Sequence, residues 1–324
     1  MNITFLGTSS GAPTRQRNVS AIAIQPEQGR GWVLVDCGEA TQHQLQRTRL
    51  SPLKLKAVLI THIHGDHCYG LPGLLASCQL SGRTEPLVLV GPASLWAYLQ
   101  AVIEHTELRI EYPLEFVEVS SQLALELSEF GITATQLSHR VECWAYRLDE
   151  RQVPTGLDTE RLQREGVPPS PVYGRLQKGE RVMLDDGREL NGEDYAVPAY
   201  AARSLVVGGD NDRPDLLAGA CEGVHALVHE ATYTEPVLQK VGSEPQHSSA
   251  LRVAEFAQSE KLPSLILTHF SPRYRKVPRR AGDASLDDIR SEALSRYQGD
   301  LFLADDFDTF CIGRDGRVQR LVCD

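Results

Sequence analysis

Short apolar runs, each closed by a polar residue or a glycine, recur along the chain and set its rhythm. Ile3–Leu6, Val19–Ile24, Trp32–Val35, Ala57–Ile60, Pro86–Gly91, Leu114–Val119, Ala124–Leu127, Ile132–Leu137 and Cys143–Leu148 read as strands by length and β-branching. Leu205–Val207, His225–Val228, Ser264–Thr268, Leu301–Ala304 and Thr309–Gly313 continue the series. Between them lie stretches of helical period: residues 39–50, Tyr69–Leu80, Ser94–Glu104, Ala250–Gln258 and Ser285–Tyr297. Ser248 or Ser249 is placed to cap the fourth of these. Strand followed by helix, repeated, predicts an α/β fold.

From about Asp149 to Pro198 the pattern lapses into Gly, Pro and charge, with acidic residues outnumbering basic ones. Such a stretch is expected to build no core of its own, and reads as a surface excursion used for binding or as a tolerated insertion. The expected organisation is one domain over residues 1–324 with an arm, 149–198, inserted in it.

A formal net charge of -10 and a pI near 5.5 exclude binding of nucleic acid through the overall field, so DNA is not an expected partner and any polyanion must be held locally. The one dense basic run is Pro272–Arg280. No apolar run approaches membrane-spanning length, the first residues carry no basic segment before a long apolar core, and the 7 cysteines form no Cys-x-x-Cys pair. These features predict a cytoplasmic chain with reduced thiols and no membrane partner. Cys68, next to the histidines described below, is expected to pack rather than to ligate.

The candidate chemistry sits where strands stop. Ala57–Ile60 runs into Thr61-His62-Ile63-His64-Gly65-Asp66-His67. His62 and His64 are two apart and share a direction in extended chain, while Gly65 is expected to turn the backbone so that Asp66 and His67 face elsewhere. Four further strand ends carry an ionisable residue: His139, Asp210, His229 and His269. Ligands at one edge of a sheet can converge, and imidazoles with carboxylates suit zinc or manganese in a hydrolytic site. Thr14-Arg15-Gln16-Arg17-Asn18 reads equally as a phosphate-holding loop or a solvated hairpin turn, and His247 as catalytic or as a surface residue.

The His-x-His-x-Asp-His sequence after a strand resembles the metallo-β-lactamase superfamily. Gly7-Thr8-Ser9-Ser10-Gly11, Pro13-x-Arg15-x-Arg17-Asn18, Gly70-Leu71-Pro72-Gly73-Leu74, His229-Glu230-Ala231-Thr232, His247-Ser248 and His269-Phe270-Ser271-x-Arg273-Tyr274 are similar, more narrowly, to the ribonuclease Z family. The resemblance implies an α/β fold of the four-layer αββα sandwich type with a flexible arm that grips tRNA. It implies a zinc-dependent endoribonuclease that removes the 3′ trailer of precursor tRNA and leaves a 3′-hydroxyl. Two zinc ions per subunit, with manganese as a substitute, would be held by His62, His64 and His139 and by Asp66, His67 and His269, with Asp210 between them. Asp66, Glu230 and His247 match the family's catalytic positions, and RNA contacts are expected from Arg15, Arg17, Asn18, Phe270, Arg273 and Tyr274. Homodimers are common in the family. Ser170-Pro171 stands where the family arm has Gly-Pro, Asn211 where threonine follows the bridging aspartate, and Arg15 where lysine is common. The alternatives are another hydrolase of the superfamily, acting on small phosphodiesters or thioesters, and a non-catalytic metal-stabilised RNA-binding protein.

Overall fold

The computed structural model describes residues 1–276 and 283–321. Two twisted sheets stack face to face, and helices cover both outer surfaces. The first sheet has eight strands in the order 318–321, 309–312, 2–7, 21–25, 32–35, 55–59, 87–91, 114–118. The second has seven, in the order 300–303, 264–268, 226–230, 204–207, 143–150, 130–137, 124–126. The layers follow from the alternation of buried side chains. Phe5, Ile22, Val33 and Leu59 from one sheet and Ile132, Tyr146, Leu205 and Ile266 from the other form the central core. Residues of opposite parity, such as Leu34, Val58 and Leu89, pack outward on the helices Leu71–Leu80 and Ala93–Thr106. Val206, Leu227 and Leu265 meet the helices Ala250–Ser259 and Leu286–Leu294 in the same way. The expected αββα sandwich is therefore the observed one.

Strand direction decides where the strand ends fall. Strands 32–35, 55–59, 87–91 and 114–118 are parallel, as are 204–207, 226–230, 264–268 and 300–303. Strand 130–137 is antiparallel to 143–150, which is antiparallel to 204–207, so 130–137 points the same way as the parallel set. Its terminal His139 thus reaches the same edge as the residues that follow 204–207 and 264–268.

Several elements differ from the sequence reading. The amphipathic stretch 39–50 is only a short helix, Thr41–Leu45, while the helix Glu235–Val241 and the strand Val318–Leu321 were not expected. The arm is the larger correction. It carries helices Thr159–Arg164 and Pro171–Leu176, a hairpin of Arg181–Met183 with Glu189–Asn191, and a strand pair of Thr155–Leu157 with Ala196–Pro198. Leu162, Val167, Leu176, Val182, Leu190 and Tyr195 are buried against one another as a core separate from those of the sandwich. Ser170 precedes the second helix in extended backbone (φ -160°), a conformation that demands no glycine.

Candidate metal centre

Strand Leu55–Leu59 delivers His62 and His64, and one turn of helix, Gly65–Cys68, follows at once and presents Asp66 and His67. Gly65 is not in the left-handed region; a Cβ there would lie 2.3 Å from the Tyr69 ring, so the glycine serves close packing and the helical turn redirects the chain. Cys68 is buried and donates to the Ile63 carbonyl at 3.3 Å, away from the histidine donors.

The donor atoms fall into two sets that share one carboxylate. His62 Nε2, His64 Nδ1 and His139 Nε2 face one another, with 3.1 Å from His64 Nδ1 to each of the other two. Asp210 Oδ2 closes this set at 3.6 Å from His62 Nε2 and 3.7 Å from His139 Nε2. His67 Nε2 and His269 Nε2 lie 3.2 Å apart, and Asp66 Oδ2 is 3.6 and 3.4 Å from them. Asp210 Oδ1, the other oxygen of the same carboxylate, is 3.4 Å from His67 Nε2 and 3.3 Å from His269 Nε2. Ligands of a tetrahedral zinc stand about 3.3 Å apart, so the spacing of both sets fits a metal ion.

The far side of four of the five imidazoles is held by the protein. His62 Nδ1 is 3.0 Å from Thr61 Oγ1, His67 Nδ1 is 2.7 Å from Asp36 Oδ2, His139 Nδ1 is 3.0 Å from the Gln246 carbonyl and His269 Nδ1 is 2.9 Å from Thr232 Oγ1. Such contacts fix the tautomer and aim the opposite nitrogen. Asp36 also accepts from the Thr61 amide at 2.8 Å. Seven described non-glycine residues have positive φ, and three of them, Asp36 (60°), Gln246 (51°) and His269 (57°), belong to this frame.

Electrostatics suit a cation. Burial lowers the pKa values of His62, His64 and His139, favouring the neutral form that ligates. Burial opposes charge on His67 too, but Asp210, Asp36 and Asp66 outweigh it and raise its pKa to about 10. Burial likewise opposes the Asp66 carboxylate, yet His67, His269 and the Gly11 amide, 2.7 Å from Oδ2, hold its pKa below the usual carboxylate range. A pocket in which carboxylates crowd an imidazole this closely holds a proton or a metal.

Glu230 and His247 form a pair beside the donors. His247 Nδ1 is 3.0 Å from Glu230 Oε1 and 3.7 Å from Asp210 Oδ2. Burial disfavours the imidazolium, but Glu230 and Asp210 outweigh it and raise the His247 pKa to about 9. Glu230 is 1% exposed and also accepts from Thr232 Oγ1 and the Asn211 amide. Asn211 accepts in turn from the amides of Ser138 and Arg213, so the asparagine is built into the loop that aims Asp210. His229 does not join the metal donors: its Nε2 is 3.2 Å from Asn211 Nδ2 and its Nδ1 is 2.8 Å from the Glu230 carbonyl.

Of the six residues expected to touch RNA, three are buried and Asn18 is half-buried. Phe270 and Tyr274 are 0% and 1% exposed, and the Tyr274 hydroxyl accepts from the Thr234 amide. Arg17, 7% exposed, donates to Asp305 at 2.9 Å and to the Tyr274 carbonyl at 3.4 Å. Asn18 donates to the Glu39 carbonyl. These four hold the loop 8–18 and the segment after His269 in place through these internal contacts, although Arg17 Nε is buried without a partner. Arg15 and Arg273 are exposed, Arg273 with its guanidinium over the Tyr233 ring. Of the basic run Pro272–Arg280, residues 277–280 lie outside the described residues.

Sequence reasoning missed Asp36, Thr232 and the Gln246 carbonyl. Asp36 had a signal, being a carboxylate at the end of strand Trp32–Val35 beside the histidine strand; the Gln246 contact, made by a backbone oxygen, had none.

The model of the family described as anti-Pycsar protein Apyc1 matches residues 1–153, which include His62 to His139. A ribonuclease Z from Marinobacter nauticus is 49% identical over 99% of this chain and 99% of its own length. A ribonuclease Z from Bacillus subtilis is 39% identical over 92% of this chain and 94% of its own. The solved human tRNase Z, short form, superposes with a TM-score of 0.65 at 24% identity, covering 97% of this chain and 100% of that one, and shows the shared fold. With half its residues shared from end to end with such a relative, this chain belongs to the ribonuclease Z family.

Proposed function

We propose that the protein is a zinc-dependent endoribonuclease that cuts precursor tRNA on the 3′ side of the mature sequence and leaves a 3′-hydroxyl. The observation that carries this reading is the pair of donor sets sharing Asp210 with the Glu230–His247 pair against them, in a chain of the ribonuclease Z family. His62, His64, His139 and Asp210 would hold one ion, and Asp66, His67 and His269, with the other oxygen of Asp210, a second. Zinc, or manganese in its place, supplies charge neutralisation at phosphorus and makes water a competent nucleophile near neutral pH.

The residues divide the remaining work. The Asp66 carboxylate, kept ionised by its imidazole neighbours, orients the attacking water. The phosphodiester breaks between phosphorus and the 3′-oxygen of the tRNA, and that oxygen needs a proton. Glu230 keeps the neighbouring His247 imidazole protonated, so His247 donates it. Asn18, Phe270, Tyr274 and Arg17 act as supports of the rim, whereas Arg15 and Arg273 are free to meet phosphate. The arm, residues 149–198, is the tRNA-gripping element. We place the enzyme in the cytoplasm as a homodimer; that no described helix is long and apolar enough to cross a membrane and that the described cysteines are free accord with the location.

The test is product mapping on precursor tRNAs with and without an encoded cytidine-cytidine-adenosine triplet, with zinc, with manganese and with a chelator. Asp66→Ala is expected to abolish cleavage with the fold intact; full activity in that variant, or cleavage of small phosphodiesters without any cleavage of precursor tRNA, would overturn the reading.

A further inference from the structure

The arm leaves the sandwich at the edge opposite the metal donors. Strand 143–150 begins beside His62, where Cys143 Sγ lies 3.6 Å from His62 Nδ1, and ends at Glu150; the chain returns from the arm at Arg203 and strand 204–207 runs back to Asp210. Among the described residues, the hydrogen bonds and ion pairs that tie segment 151–200 to the rest of the chain fall at its two ends. Arg151 donates its amide to the Glu129 carbonyl and pairs with Glu126, and Tyr200 meets Glu150 and Arg203.

The root itself is a buried charge cluster. Arg203, 0% exposed, sends Nε to Glu150 Oε2 at 2.7 Å and Nη2 to Glu150 Oε1 and the Tyr200 hydroxyl. Its Nη1 reaches Glu27 Oε2 at 2.8 Å and the Ile312 carbonyl at 3.0 Å. Glu27 is also held by Arg314, whose guanidinium shares the Tyr200 ring with that of Arg203. Each guanidinium nitrogen of Arg203 is thus engaged, in a planar fork that fixes direction as well as distance. The cluster joins both ends of the arm to the first sheet through Glu27 and Ile312.

We propose that Arg203, with Glu150 and Glu27, is a positioning group that sets the angle at which the arm projects, and so matches the distance from arm to metal centre to the shape of the RNA. The inference rests on the reading of the arm as the tRNA-gripping element. A small rotation at this root displaces the tip in proportion to the arm's length, and two contacts on one rigid ligand reinforce each other only when their separation is right.

The charge-neutral double variant Arg203→Met/Glu150→Gln avoids leaving one buried charge alone, and Glu27→Gln perturbs the partly exposed partner. In both variants KM for precursor tRNA is expected to rise, about tenfold in the double variant, while kcat and turnover of bis(p-nitrophenyl) phosphate stay within about twofold of wild type. An unchanged KM in a double variant that still turns over the small diester overturns the proposal. Loss of small-diester turnover in both variants also overturns it, because the cluster would then be supporting the sandwich. Replacing residues 152–199 by a short linker separates the two readings. If that deletion leaves KM for precursor tRNA unchanged, the arm does not grip; if it raises KM where the root variants do not, the positioning role of Arg203 alone is wrong.

Discussion

The metal edge and the arm are built in opposite ways. At the edge, donors from residues 62 to 269 meet because parallel strands of two sheets end together, so no segment owns the geometry. The arm is local: six buried residues between Leu162 and Tyr195 close on one another, and its ion pairs Arg161–Glu165, Arg175–Glu180 and Arg188–Asp186 are internal and exposed. The metal edge is thus fixed by long-range topology, whereas the arm is a small module joined to the sandwich at its root. The two regions should fail independently.

The largest effect is expected at the shared carboxylate. Asp210→Ala removes an oxygen from both donor sets, and cleavage of precursor tRNA should fall by roughly 10⁴-fold or more with loss of bound metal, read by single-turnover assay and elemental analysis. Retention of both metals would show that the sets are independent. On its proposed role, His247→Ala should lower kcat by about 10²- to 10³-fold with metal content unchanged, because it would remove a proton donor rather than a ligand. Loss of metal in that variant would instead move His247 into the donor set.

In the arm, Leu176→Ala should cost about 2–4 kcal/mol of local stability. Hydrogen exchange should then report faster exchange of amides 159–195 only, with small-diester turnover preserved. Destabilisation of the whole protein would break the comparison.

The smallest effect concerns pH. Asp306 accepts from Asn18 N at 2.6 Å, Thr8 Oγ1 at 2.8 Å and Gln44 Nε2 at 3.1 Å, and so anchors the loop next to Asp66. Burial raises its pKa to about 6 despite those donors. A folded-state pKa above the unfolded one adds stability that is present below about pH 4 and lost as pH rises through 6. The stability of wild type relative to Asp306→Asn should therefore fall by about 2 kcal/mol between pH 4 and pH 7.5, in denaturant titrations. No change across that window would show that the anchor stays solvated.

The same contrast explains what could be read from the chain. Strand ends were legible, because a β-branched run that stops at His62, Asp210 or His269 marks both the element and its polar exit. Convergence of those ends follows from parallel pairing, which short apolar runs with intervening helices already suggest. The core of the arm is not legible in the sequence because its apolar residues are spaced among glycines, prolines and charges at neither strand nor helix period, so six residues leave no pattern. Residue type does not say which way a side chain points, and the structure turns Arg17, Phe270 and Tyr274 inward. Asp36 reads as one more polar strand end, since its value lies in His67, distant by 31 positions.

The left-handed backbone at Asp36, Gln246 and His269 has a consequence for the motif as an object in itself. Each such residue sits in a conformation that a free chain avoids by roughly 1–3 kcal/mol, and only the surrounding sandwich enforces it. A peptide carrying Thr61 to His67 would keep the letters of the motif and lose the aim of His67, since Asp36 would be absent, and it would lack His139 and His269 with the Gln246 and Thr232 groups that hold them. The motif is a label for this site, and the site exists only as a property of the whole fold.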